Sequence, residues 1–183
     1  MISNTTSSNG GPIIALPAEI AHLWRGTLPP VGVEVPKDWE WGGDDGIICD
    51  YDRVCDELND EFPFGYALFG WLPVGNSKAL AFSIEQPITF IPEKTGGIIA
   101  NDEDGIDELI KSISPGLWKL YPQTLNLEDG RLFIFDSAFE AYKDPEDIYA
   151  DNDVVVAQLS PGTYKIFHYN NEDEVGFVRL EKQ

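Results

Sequence analysis

The sequence predicts an α+β fold dominated by β-strands, with mainly antiparallel sheet and two or three short amphipathic helices. Three observations predict it. Short apolar runs bounded by Gly, Pro and Asp-Gly signals recur along the chain and outnumber helical stripes. Only two segments carry a well-formed apolar stripe at helical spacing. The 183 residues are 43% hydrophobic and 12% aromatic, enough to build a core rather than a disordered chain.

The elements follow in order. The polar tip at 1–9 reads as a flexible tail ahead of a domain spanning 10–183, either single or divided into two small lobes near 114–123. Residues 10–17 are an apolar run between glycines and a proline, a buried strand. Ile20, Leu23 and Trp24 sit at helical spacing, so a short helix is expected over 18–24, ending near Gly26. Residues 27–45 are rich in Pro and Gly and form a long loop carrying Trp39 and Trp41. Two indoles in a loop require either a core to dock on or a partner.

A helix over 50–59 places Tyr51, Val54, Cys55 and Leu58 on its apolar face. Asp52, Arg53, Asp56 and Glu57 take the wet face, and Asp50 is the expected cap. Strands follow at 65–72 and 78–84 around a turn at 73–76, apolar enough to be covered on both faces. Pro87 and Pro92 bracket a strand at 88–91, and another is expected at 96–100. A second helix over 102–113 has Ile106, Leu109, Ile110 and Ile113 as its stripe. Asp102, Glu103 and Asp104 complement its positive end, and Pro115-Gly116 stops it. The remainder reads as an antiparallel meander: 124–127, a hairpin turn at 128–130, 132–135, an acidic loop, 154–159, a turn at Pro161-Gly162, 164–169 and 175–180.

No constellation of catalytic residues emerges. His22 and His168 lie far apart in sequence and in no motif. Cys55 falls on the apolar face of its helix and reads as structural, while Cys49 stands near that helix's N-terminus, a place that lowers a thiol pKa. Asp136-Ser137 ends a strong strand but lacks the glycines of a nucleophile elbow, so capping or turn formation is its expected role. There is no phosphate-binding glycine loop, zinc cluster or dinucleotide fingerprint. Asp102-Glu103-Asp104-Gly105 and Asp151-Asn152-Asp153 do not continue into the ordered ligand pattern of a calcium loop. A pair of hydrolytic carboxylates is defined by distance in space and has no sequence signature here. The expectation is a protein that is not an enzyme and needs no cofactor or metal.

Charge is the outlying property. Twelve Lys+Arg against 32 Asp+Glu give a net charge of −20. Such a field disfavours nucleic acid and anionic membranes and favours cationic partners. The same carboxylates also serve solubility, so acidity alone does not choose between a binding role and a solvating one. No apolar run is long enough to span a bilayer and the N-terminus lacks a signal-peptide pattern, so the expected address is the cytoplasm. Aromatic anchors ringed by one sign of charge suit a high-affinity site for a basic protein. The candidate partner-binding residues are therefore Trp39, Trp41, Asp44 and Asp45 in the first loop. In the acidic loop they are Tyr142, Asp144, Glu146, Asp147, Tyr149, Asp151 and Asp153.

An ordered set of motifs resembles the bacterial polymorphic-toxin family called immunity protein 21. It comprises Gly10-Gly11-Pro12-Ile13-Ile14-Ala15-Leu16-Pro17, Trp24-Arg25-Gly26 and Asp50-Tyr51-Asp52-Arg53-Val54-Cys55. Further along come Leu72-Pro73-Val74-Gly75, Ala79-Leu80-Ala81-Phe82, Leu132-Phe133-Ile134-Phe135-Asp136-Ser137-Ala138 and Leu159-Ser160-Pro161-Gly162-Thr163-Tyr164. The resemblance covers nearly the whole chain from Gly10 onward. It implies a small cytoplasmic protein that binds and neutralises a co-encoded toxin domain and has no catalytic residues. In that light the shared glycines, prolines and Trp24 are fold-makers. The Trp39/Trp41 loop and the 144–153 loop are longer and more acidic than the family pattern, which marks them as the places for specificity. A basic toxin, for instance a nuclease, fits the charge. A general acidic interaction or scaffold domain and a carboxylate-based hydrolase are the alternatives. The oligomeric state has no sequence signature.

Overall fold

Two antiparallel sheets lie face to face, and the period-two alternation of their strands fixes which side chains meet. The computed structural model describes residues 5–8, 11–41, 46–60, 69–83, 87–101, 104–141, 154–170 and 176–183, without the side chains of 59, 60 and 170. One sheet runs β1 (Thr5–Thr6), β5 (Ile88–Glu93), β6 (Gly96–Asn101), β11 (Gly176–Lys182), β10 (Gly162–Asn170), β7 (Lys119–Leu127) in spatial order. The other runs β3 (Phe69–Val74), β4 (Ser77–Phe82), β2 (Ile13–Pro17), β8 (Arg131–Asp136), β9 (Val155–Gln158). The β-dominated α+β architecture is therefore as the sequence predicts.

β2 shows how the layers arise. Its five residues are all buried because it is central in its sheet and covered on both faces. Ile13 and Ala15 point into the space between the sheets, among Phe82, Phe90, Leu125, Tyr164 and Leu180. Ile14 and Leu16 point the other way, onto Val54 and Leu58 of helix α1 (Asp50–Asp60) and onto Trp24. The outer face of the six-stranded sheet is covered by helix α2 (Ile106–Ser112) and Trp118, which pack on Ile98, Ala100 and Phe177. Arg179 stacks over Trp118 at 4.3 Å from the ring centroid and donates to Glu93 at 3.0 Å. Among the described residues no helix is long and apolar enough to cross a membrane.

Several boundaries differ from expectation for local reasons. The segment expected as a short helix over 18–24 is a 3-10 helix at Ala18–Leu23, and Trp24 leaves it in an extended conformation. Asp50 is the first helical residue of α1 rather than its cap. Cys49 holds the cap position, and its N–H donates to Asp52 Oδ2 at 3.0 Å. α2 starts at Ile106 rather than 102, because Gly105 in front of it adopts φ +82°. The strand expected at 65–72 runs from Phe69 to Val74, leaving Gly75-Asn76 as the tight turn into β4, which ends at Phe82; residues 65–68 and 84 lie outside the described residues. Thr5–Thr6, inside the segment read as a tail, pair with Ile88 and Thr89.

Prolines within strands lie where the ladder tolerates them: Pro17 ends β2, and Pro73 lies in the edge strand β3. Pro92 falls in the part of β5 beyond its pairing with β1, so that side of the strand is an edge. Pro122 extends β7 back to Lys119 because β7 is an edge strand whose register with β10 shifts between Lys165 and Phe167.

The expected meander is overturned. The turn at 128–130 does not close a hairpin: β7 pairs with β10, whereas β8 pairs with β2 and β9. Gly130, at φ +81°, and an Asp129 carboxylate accepting the Arg131 N–H redirect the chain from one sheet into the other. The turn at Pro161-Gly162 likewise separates β9 and β10 into different sheets, so of the five strands of the expected meander β8–β9 and β10–β11 alone remain neighbours in both sequence and space.

Candidate functional site

The first turn of α1 gathers chain from three distant places. Asp50 accepts the Arg25 N–H through Oδ2 at 2.9 Å and the Arg53 guanidinium through Oδ1 at 2.8 Å. Arg53 also donates to the carbonyl of Pro73 at 2.5 Å, tying α1 to the β3–β4 turn. The Tyr51 N–H donates to Gly26 O at 3.1 Å, and the Thr27 N–H donates to Ala138 O at 3.2 Å. Gly26 has φ +57°, and a Cβ there would lie 2.2 Å from Ala138 O, so only glycine permits this approach. Beneath, Trp24 is fully buried and its indole N–H donates to Ser137 O at 3.1 Å. Ser137 donates through Oγ to Pro12 O, and Asp136 accepts the Ala138 N–H. Asp136 and Ser137 thus serve turn formation, as expected.

From Gly26 to Trp41 the chain makes an excursion whose two ends return to one residue. Gly26 bonds to the Tyr51 backbone, and the Trp41 ring packs edge-on against the Tyr51 ring, centroids 5.1 Å apart at 71°. This is the geometry of an Ω-loop, closed at its neck and packed on itself. Within it Arg25 Nε donates to Pro29 O, the Val33 N–H to Pro30 O, and the Trp39 N–H to Pro36 O. The two indoles have different fates. Trp39 is half-buried with its indole N–H lacking an acceptor among the described residues, whereas Trp41 stays 51% exposed. Val31, Val33 and Ile48 are also exposed, and periodicity did not single them out.

Of the other candidate residues, Asp44, Asp45, Tyr142, Asp144, Glu146, Asp147, Tyr149, Asp151 and Asp153 lie outside the described residues. The residues flanking the 142–153 segment are placed, however. The Ala141 N–H donates to Trp24 O at 3.1 Å, and Ala141 and Val154 are both buried in the cluster that holds Trp24, Val54 and Leu58. Ala141 and Val154 therefore share the cluster that holds Val54 of α1, the helix on which the neck of the Trp39/Trp41 loop closes, although about 100 residues of sequence separate them from that loop.

Both thiols hold their protons more tightly than a free cysteine does. Burial, with Asp52 beside it, pushes Cys49 up to about 11, contrary to the lowering expected near a helix N-terminus. Burial also raises Cys55, with Asp52 and Asp56 adding to it, although Cys55 is half-buried rather than fully enclosed. Burial pushes Tyr51 up to about 12, helped by Cys55 and the Asp136 charge. His168 is lowered by burial and by Lys119, and its ring neighbours are Phe69 and Tyr121 rather than either cysteine. His22 is exposed on the 3-10 helix.

A pH dependence follows. Cys49 and Tyr51 hold their protons more tightly in the folded chain than at their ordinary values of 9.0 and 10.0. Above about pH 9 the unfolded chain therefore binds fewer protons than the folded one, and stability falls as pH rises through that window. Melting curves between about pH 8 and pH 11 should show a falling Tm, and Cys49→Ala should flatten the first part of the fall. A Tm that holds level or rises over that range would contradict these environments.

The sequence model of the immunity protein 21 family matches residues 5–174. No curated protein and no solved structure matches the chain.

Proposed function

The chain belongs to the immunity protein 21 family, and from that premise we propose that it neutralises a cationic toxin domain, such as a nuclease, of a bacterial polymorphic toxin system. Membership makes the chain an immunity protein with a toxin as partner, not an enzyme. The chemistry of that toxin is the proposed part.

One observation supports it: a net charge of −20, with carboxylates flanking aromatic residues. Such a field accelerates encounter with a cationic partner, while the final affinity comes from desolvated anchors. A nuclease must attract phosphates, so its groove is cationic, and an acidic protein competes for that groove. On this reading the toxin is met by Trp39, Trp41, Asp44 and Asp45, and by Tyr142, Asp144, Glu146, Asp147, Tyr149, Asp151 and Asp153. The complex forms in the cytoplasm, where the toxin would otherwise act, without nucleic acid or membrane as a further ligand.

Co-expression tests this. The toxin domain encoded beside this protein should arrest growth alone and not when both are expressed. The two should also co-elute on gel filtration at moderate salt. Arrest that persists with folded immunity protein present, or the absence of a complex, would overturn the proposal.

A further inference from the structure

Apolar exposure is unevenly distributed. Among the described residues the exposed large hydrophobics are Leu23, Val31, Val33, Trp41, Ile48, Leu117 and Leu120, so five of the seven fall between residues 23 and 48. Val31 is the extreme at 81% exposed. Single exposed hydrophobics are ordinary on any surface, but a concentration of them in one segment marks an interaction site.

We infer that the Ω-loop from Gly26 to Trp41, with Ile48 beside its neck, is the apolar centre of the toxin interface, received by an apolar socket in a cationic protein surface. This deepens the proposed function and rests on it. The charge pattern selects this patch over the other. Exposed Glu34, Asp38 and Glu40 interleave with the apolar residues of the loop against one exposed amine, Lys37, and exposed Asp56 stands on the adjoining helix. Leu117 and Leu120 instead flank Lys119, on a strand paired with the one that carries exposed Lys165. Lys165 is itself paired across the ladder with exposed Glu181, so the second patch is mixed in charge and a cationic partner is attracted more strongly to the first.

The loop is also preorganised. Its neck is closed by the Gly26–Tyr51 hydrogen bond and the Trp41–Tyr51 ring contact, and Pro29, Pro30 and Pro36 restrict the chain between. A loop already held in one shape loses little entropy on binding, so its exposed side chains contribute more of their contact energy to affinity. The carboxylates then form the rim, governing the rate of encounter, and Val31, Val33 and Trp41 govern the lifetime of the complex.

Binding kinetics against the inactivated toxin domain encoded beside this protein separate these roles. The Val31→Ser/Val33→Ser/Trp41→Ser variant should dissociate at least about 30-fold faster, with association within about twofold of wild type. The Glu34→Gln/Asp38→Asn/Glu40→Gln variant should associate about tenfold more slowly at low salt, with a shallower salt dependence and unchanged dissociation. The carboxylate variant replaces exposed groups only, so its melting temperature should match wild type. Trp41→Ser also removes the Tyr51 ring contact at the neck, so Val31→Ser/Val33→Ser, which leaves the neck intact, should melt as wild type does and still dissociate faster. Wild-type kinetics in the apolar variants would overturn the inference while leaving the immunity role standing, whereas a wild-type protein that does not bind overturns both. Sedimentation of the free protein supplies a further outcome. A self-associating wild type that becomes monomeric in the apolar variant would assign the loop to a second copy and overturn the inference.

Discussion

Replacing Trp24 by alanine is expected to lower the unfolding free energy by about 3–5 kcal/mol, the range for truncating a fully buried large side chain. Trp24 has no exposed surface and packs with Leu16, Val54, Leu58 and Phe135, where the 3-10 helix, α1 and the outer face of the five-stranded sheet converge. The cavity left would have walls from separate elements that cannot all collapse inward. The lost indole N–H also leaves Ser137 O without its donor, a buried polar group whose desolvation costs about 1–3 kcal/mol. At about 2–4 °C per kcal/mol for a chain of this size, the melting temperature should fall by roughly 10 °C. Trp24→Phe retains much of the volume and none of the hydrogen bond, so it should fall between wild type and alanine. Denaturant unfolding measures both; a loss below about 1 kcal/mol for Trp24→Ala would show that the three elements are not locked through this residue. Alanine keeps the main-chain carbonyl that accepts the Ala141 N–H, so toxin affinity should drop only as far as the lost packing displaces that carbonyl.

Gly26→Ala should be the next most damaging change, and Gly32→Ala provides its internal control. Both glycines have positive φ, +57° and +80°, so each alanine is strained by about 1–2 kcal/mol. They differ in surroundings. A Cβ at Gly26 would lie 2.2 Å from Ala138 O and 2.6 Å from Phe139 O, both backbone atoms, whereas nothing lies within 4 Å at Gly32. Gly26→Ala must therefore shift the neck of the Ω-loop away from the 137–141 segment, breaking the Thr27–Ala138 and Tyr51–Gly26 hydrogen bonds. Its cost should exceed that of Gly32→Ala by about 2 kcal/mol or more, and only Gly26→Ala should also weaken toxin binding strongly. Equal effects of the two substitutions on stability and binding would mean that the neck tolerates displacement.

The strands were legible wherever burial on both faces produced unbroken apolar runs, as in Ile13–Pro17 and in residues 79–82 of β4. Their distribution between sheets was not. Glu128-Asp129-Gly130 has the same local chemistry whether the chain folds back on its own sheet or crosses to another, and only the pairing partners of β7 and β8 decide it. The start of α2 was overextended because an acidic run favours a helix N-terminus in general, whereas Gly105 at φ +82° stops helical geometry at Ile106. Cys49 shows the same limit from the electrostatic side: helix position argued for a lowered thiol, and burial next to Asp52 reversed the sign.

For the candidate face, Trp41 was legible because an indole in a Pro/Gly loop is conspicuous on its own. Val31, Val33 and Ile48 were not, since an aliphatic residue in an irregular segment carries no periodicity to say which way it faces. The Arg53–Pro73 and Gly26–Tyr51 hydrogen bonds span 20 or more residues, and the Trp41–Tyr51 ring contact joins a loop to a helix, so no local pattern encodes them. The motif order that resembles the immunity protein 21 family was the most informative feature of all, and the family match over residues 5–174 agrees with it.

Amide hydrogen exchange on the toxin complex tests the central claim most directly, because it reports which backbone becomes protected without altering a side chain. Slowed exchange is expected in residues 26–41 and 46–53 relative to the free protein, with the outer face of β7 and β10 unchanged. Protection confined to β7 and β10, with 26–41 exchanging as in the free chain, would place the toxin on the Leu117/Leu120 patch and contradict the account.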